Sequence, residues 1–148
     1  MKPLWAMTIR EVSALMRAGK VSPLEVVEEA IARTHRYQKS LNPYITFLEE
    51  EARSQAALLT QNMPKDLENR PLYGIPVGFK DLYCTKGVLT TGASRLFSDY
   101  RPEEDATVVT RLKIAGAVNM GKHNFSQGSR PAFGNIPGLF PVRRMLHP

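Results

Sequence analysis

The run Gly74-Ile75-Pro76-Val77-Gly78-Phe79-Lys80-Asp81-Leu82 limits this chain's folds most: a short apolar stretch, punctuated by glycine and proline, that ends on a lysine. It predicts a strand over 75–79 whose side chains alternate between two faces and which delivers the lysine at its end. The two glycines and Pro76 suit a place where another backbone approaches closely. Downstream, Asp105 is expected to cap a helix over 106–115, with Val108, Val109, Leu112 and Ala115 turned inward. Gly116 ends that helix, and Ala117-Val118-Asn119-Met120 reads as the next strand. A strand, a helix and a second strand in this order are what a parallel α/β unit requires.

The residues before this unit read as a helical arm. Thr8-Ile9-Arg10-Glu11 has the form of a capping box, and Gly19 is placed to end the short helix that follows. Ser22-Pro23-Leu24-Glu25 combines an N-cap, a proline at the first helical position and a glutamate at the third. Leu24, Val27, Ala30, Ile31 and Thr34 then recur at helical spacing, which predicts a helix near 23–40 with one buried face. Asn42-Pro43 breaks it, and Tyr44-Ile45-Thr46-Phe47 has the composition of a short strand. A third helix follows, with Glu49, Glu50 and Glu51 at its amino terminus. Leu48, Ala52, Ala56 and Leu59 form its inner stripe, Asn62-Met63-Pro64 ends it, and a polar loop runs to Arg70.

A lysine at the mouth of a buried strand is a candidate base. Its ordinary pKa of about 10.4 can fall by roughly 3–5 units when it loses solvent or faces another cation. Lys80 is therefore the candidate catalytic residue, and the plainer alternative is a solvated surface pair with Asp81. Lys122, at the end of the second strand, has two readings: a like charge that tunes the field at Lys80, or a solvent-facing side chain. Cys84, the single cysteine, has no histidine near it in sequence and reads as a small hydrophobe. Thr90-Thr91-Gly92-Ala93-Ser94 is a small-residue loop without a Walker-type lysine, and Ser94 lacks a Gly-x-Ser-x-Gly setting, so it reads as a turn residue. His35, His123 and His147 show no ligand spacing, and the three successive glutamates point to different sides of a helix. No metal and no cofactor are expected.

Taken together, Pro71 to Leu82, Thr85-Lys86-Gly87, Thr90 to Ser94, Asp105 to Leu112, Gly116-Ala117-Val118 and Gly121-Lys122-His123-Asn124 resemble, in order and approximate spacing, the amidase signature family. The resemblance runs from about Thr8 to Asn124, the opening quarter or third of a family member. It implies an α/β fold: an N-terminal helical arm, then the opening strands and helices of the family's mixed sheet, incomplete here. It also implies a Ser-cisSer-Lys triad, with Lys80 in the place of the lysine that deprotonates a bridging serine, which in turn activates the nucleophile. Both serines belong to a later signature of the type Gly-Gly-Ser-Ser-Gly-Gly-Ser, and no such run occurs before Pro148. The expectation is an amide carbon–nitrogen hydrolase present as an N-terminal fragment, inactive alone and prone to aggregate because apolar faces lack their later partners. The alternatives are a non-catalytic remnant or binding module, and a fragment of the amidase subunit of a tRNA-dependent amidotransferase. A small-molecule amide is the expected partner of the full-length form.

Charge bears on other partners. The net charge is +6, yet residues 1–105 carry equal numbers of basic and acidic side chains, and no acidic side chain follows Asp105. The excess therefore lies on Arg111, Lys113, Lys122, Arg130, Arg143 and Arg144, accompanied late in the chain by Phe125, Phe133 and Phe140 without a recognisable RNA-binding module. A nucleic-acid partner is disfavoured. No apolar run reaches the ~20 residues that span a bilayer, and Met1 to Met7 lacks the core of a secretory signal, so a cytoplasmic chain without a membrane partner is expected. Residues 1–124 form the family portion. Residues 125–148 form an irregular basic tail rich in proline and glycine, read either as out-of-frame sequence or, since Phe140-Pro141-Val142-Arg143 faintly resembles a family segment, as a degraded in-frame remnant.

Overall fold

The computed structural model describes residues 2–64, 67 and 69–124, so the expectations for the tail at 125–148 lie outside the described residues. A single 3-10 turn at Leu4–Ala6 precedes helix α1 (Ile9–Arg17) and helix α2 (Pro23–Leu41). Both helices start on full capping boxes. The Glu11 N–H donates to Thr8 Oγ1 at 3.3 Å while Thr8 N–H donates to Glu11 Oε2 at 2.6 Å. Ser22 and Glu25 repeat the exchange at 3.2 and 2.8 Å. These backbone hydrogen bonds hold both glutamates below the usual carboxylate range.

Strand β1 (Tyr44–Phe47) and helix α3 (Glu49–Gln61) follow, then β2 (Pro76–Lys80), helix α4 (Thr107–Ile114) and β3 (Val118–His123). The sheet order is β1-β3-β2, with β3 antiparallel to β1 and parallel to β2. The parallel α/β unit expected from the sequence is therefore present. Val27 and Ile31 of α2, Ala52 and Ala56 of α3, and Val118 and Met120 of β3 form one buried cluster, the stripe expected for α2 and α3. Each larger apolar side chain so buried contributes about 1.5–3 kcal/mol. A second cluster joins Val12 and Met16 of α1 to Val26 and Ile75.

Three local expectations are corrected. Asp105 does not cap α4: the N-cap is Ala106, without a side-chain hydrogen bond. The Asp105 carboxylate instead accepts the Lys86 N–H at 2.8 Å and pairs with Lys113 Nζ at 2.6 Å, which ties a distant loop to the helix. Val109 is fully buried, but Val108 is 41% exposed, because a helix this short presents only a narrow inner stripe. Finally, β3 runs on to His123, beyond the expected end at Met120.

That longer strand is irregular in a way that matters. Val77 pairs with Asn119 and Gly78 with Gly121, which leaves Met120 as an extra residue on β3. On the other side Tyr44 pairs with His123 and Thr46 with Lys122, which leaves Ile45 as the extra residue on β1. A β-bulge of this kind reverses the alternation of side chains beyond it. Gly121 sits at the bulge with φ +126°, and a Cβ there would lie 2.1 Å from the Thr46 carbonyl oxygen.

Candidate functional site

Lys80 closes β2, half-buried, and is the Cα partner of His123 on β3. Neighbouring partners on parallel strands present their side chains to the same face, and Gly78 lies two residues back on that face. The His123 ring occupies the space above Gly78: a Cβ added there would meet His123 Nε2 at 2.2 Å and Cε1 at 2.5 Å. Tyr44 packs on the same imidazole with ring centroids 4.6 Å apart. Burial lowers the His123 pKa and pushes the Tyr44 phenol up to about 12.

Immediately after Lys80 the chain buries a carboxylate. Asp81 has no exposed surface, so the solvated Lys80–Asp81 pair considered from the sequence is not what forms. The Asp81 N–H donates to the His123 carbonyl at 3.1 Å, and its own carbonyl accepts the Gly92 N–H at 2.9 Å. Its carboxylate accepts the Thr91 hydroxyl at 2.5 Å and the Thr91 N–H at 3.1 Å. Burial raises its pKa, and the hydrogen bonds from Thr91 and the charge of Lys122 oppose that rise.

Lys122 is likewise fully buried, which overturns the solvent-facing reading. Its ammonium donates to the Thr90 hydroxyl at 2.9 Å, to the Thr85 hydroxyl at 3.2 Å and to the Tyr83 carbonyl. Burial lowers its pKa, and Asp81 opposes the shift. Plain alternation would put Lys122 on the face of Val118 and Met120, against α2 and α3. The bulge sends it to the opposite face, into the 83–94 loop, and gives His123 the place beside Lys80.

Thr85, Thr90 and Thr91 were missed as site residues by sequence reasoning; the signal available was the small polar run after the lysine. Ser94 accepts the Leu96 N–H at 3.2 Å and caps a 3-10 turn at Arg95–Phe97, in keeping with its reading as a turn residue. His35 pairs with Glu49 at 2.6 Å, far in sequence from His123. The acidic start of α3 is engaged by Arg53, which binds Glu49 at 2.9 Å and Glu50 at 2.6 Å. Among the described residues, no group of three His, Cys, Asp or Glu side chains gathers in a way that could hold a metal ion. Nor is any helix among them long and apolar enough to cross a membrane. The arrangement offers chemistry a partly buried amine at the carboxyl end of a parallel strand, beside a loop fixed by two buried charges.

Comparison with known proteins bears on what that amine serves. The family model described as Amidase matches residues 25–144. The A subunit of the mitochondrial glutamyl-tRNA(Gln) amidotransferase of Ornithorhynchus anatinus is 43% identical over 141 residues, covering 93% of this chain and 26% of that protein. Its counterpart, the A subunit of the glutamyl-tRNA(Gln) amidotransferase of Geobacillus thermodenitrificans, is 38% identical over 125 residues, covering 82% of this chain and 26% of that protein. Among solved structures, an amidase superposes with a TM-score of 0.77 at 33% identity, over 93% of this chain and 31% of the other. The native peptide amidase of Stenotrophomonas maltophilia gives 0.74 at 28% identity, over 82% and 26%. The chain thus spans about a quarter of the length of the curated relatives it matches.

Proposed function

This chain belongs to the amidase signature family, and from that premise we propose that it carries the opening part of an amide carbon–nitrogen hydrolase of the Ser-cisSer-Lys type, with Lys80 as the base. In this reading the Lys80 amine takes a proton from a bridging serine, which takes one from the nucleophilic serine as its oxygen attacks the amide carbon. The carbon–nitrogen bond then breaks, the proton returns to the leaving amine or ammonia, and water releases the acyl group from the serine. Both serines fall in a part of the family pattern later than residue 148. These residues alone would then supply a base without the hydroxyl it activates.

The observation that carries the reading is the position of Lys80 at the carboxyl end of β2, paired with β3 and followed at once by the buried Asp81–Thr91 lock. Such a lock fixes the backbone that carries the amine, as proton transfer between positioned groups demands. A second, narrower reading is favoured by the relatives named above, which are amidotransferase A subunits: the amide would then be a glutamine-type side chain and the product ammonia. A small-molecule amide is the substrate class in either case, and we place the reaction in the cytoplasm.

The test is a chimera in which residues 8–124 of this chain replace the matching segment of the Stenotrophomonas peptide amidase, assayed for ammonia release from peptide amides. Lys80→Ala should lower kcat by on the order of 10²–10⁴-fold, the usual contribution of general acid–base catalysis. A Lys80→Ala chimera as active as its parent would rule the base assignment out. The unfused chain is expected to show no turnover; hydrolysis by it, lost in Lys80→Ala, would instead refute the view that these residues are incomplete on their own.

A further inference from the structure

We infer that Lys122 is a positioning residue for the Lys80 end of the site: together with Asp81 it clamps the adjacent Thr90 and Thr91 from two parallel strands, and so holds the 83–94 loop against the strand ends. A fully buried ammonium is expensive unless its three donors are met, and here they meet the Tyr83 carbonyl and the Thr85 and Thr90 hydroxyls. An apolar side chain would fill the same space without that cost, so packing alone does not account for a lysine.

The need for a clamp follows from the connection it grips. From Asp81 to Ala106 the chain forms no α-helix or strand, only the turn at Arg95–Phe97, and it is well past the ~12–15 residues at which such loops become uncommon. Its backbone ties Gly92 to the Asp81 carbonyl at 2.9 Å, and three further bonds close it on itself: Gly87 to Pro102 at 2.8 Å, Thr90 to Tyr100 at 2.9 Å, and Ala106 to Cys84 at 2.8 Å. None of the last three ties it to the sheet, which leaves the Gly92 bond and two side chains to do so. Asp81 does so at Thr91, next to β2, and Lys122 does so at Thr90, Thr85 and Tyr83, from β3. Because Asp81 follows Lys80 directly, slack in the loop reaches the amine through one peptide unit.

The bearing on catalysis rests on Lys80 being the base, but the clamp is testable without it, so the two can fail separately. In the 148-residue chain, Lys122→Met keeps side-chain length and removes the donors, and Thr90→Val removes one acceptor at nearly constant shape. Amide hydrogen exchange is followed by mass spectrometry, and the pH profile of Lys80 acetylation by acetic anhydride is read on its peptide. In Lys122→Met, exchange across 83–94 should rise about tenfold or more, with α2 and α3 within twofold, and the Lys80 profile should move. Thr90→Val should move both readouts the same way by a smaller amount. Exchange and Lys80 acetylation both unchanged in either variant would overturn the clamp. So would a uniform loss of protection that includes α2 and α3 in both, since that marks a general core role.

Discussion

Gly121→Ala is expected to be among the most damaging single-atom changes to the sheet, and its cost can be worked from the backbone. At φ +126° an L side chain is strained, and holding it in such a region costs about 1–3 kcal/mol. The added Cβ would also stand 2.1 Å from the Thr46 carbonyl oxygen and 3.1 Å from Phe47 Cα. Those are backbone atoms of β1, and Phe47 is the register partner of Gly121, so relief requires the β1·β3 pairing to open. Overpacking of this sort adds about 1–3 kcal/mol. The sum, roughly 2–6 kcal/mol, is a large part of the ~5–15 kcal/mol that stabilises an ordinary domain. Urea unfolding followed by far-ultraviolet circular dichroism measures it: with a slope of about 2 kcal/mol per M, the midpoint should fall by roughly 1–3 M. Gly87→Ala is the control, since Gly87 also has a positive φ, +71°, but nothing within 4 Å of its would-be Cβ. It should lose only about 1–2 kcal/mol, the conformational share. Equal losses in the two variants would refute the steric reasoning and leave only φ to matter.

Two smaller predictions test other parts of the fold. Ser22→Ala removes the cap of α2 and should cost about 1 kcal/mol in the same urea assay, with Thr8→Ala costing a similar amount at α1. Tyr44 titrates at about 12 in the folded chain against 10.0 ordinarily, so between those values the native state holds a proton that the unfolded state has released. Stability should therefore fall as pH rises from 10 through 12, and Tyr44→Phe should flatten that fall; an unchanged slope in the variant would show that burial does not hold the phenol's proton.

Local signals wrote most of the helical arm into the sequence. Ser-Pro-x-Glu and Thr-x-x-Glu act over three residues, and α2 and α1 start where those boxes stand. Tyr44–Phe47 was legible for a similar reason, as a β-branched and aromatic run between breakers. Asp105 misled because an aspartate before a helix has competing uses, and here the Lys86 N–H and Lys113 offered two charge-assisted bonds instead of one cap. The place of Lys80 at the end of β2 is legible in the run that carries it. The burial of Lys122 and Asp81 is not, because their threonine partners lie 10 to 37 positions away and are brought together only by the loop. Which face Lys122 takes depends on a bulge, and no periodicity within six residues of strand encodes one.

That one surplus residue in β3 has a consequence for how this segment can vary. Straightening the strand at Met120 without changing its length would do more than tidy a ribbon: Lys122 would stand opposite Lys80, handing the imidazole's berth to the ammonium and stranding the threonine hydroxyls without their cation. Loss of Met120 itself would close the bulge and leave Lys122 and His123 on their present faces, so this midpoint bars a slip of register rather than a shorter strand.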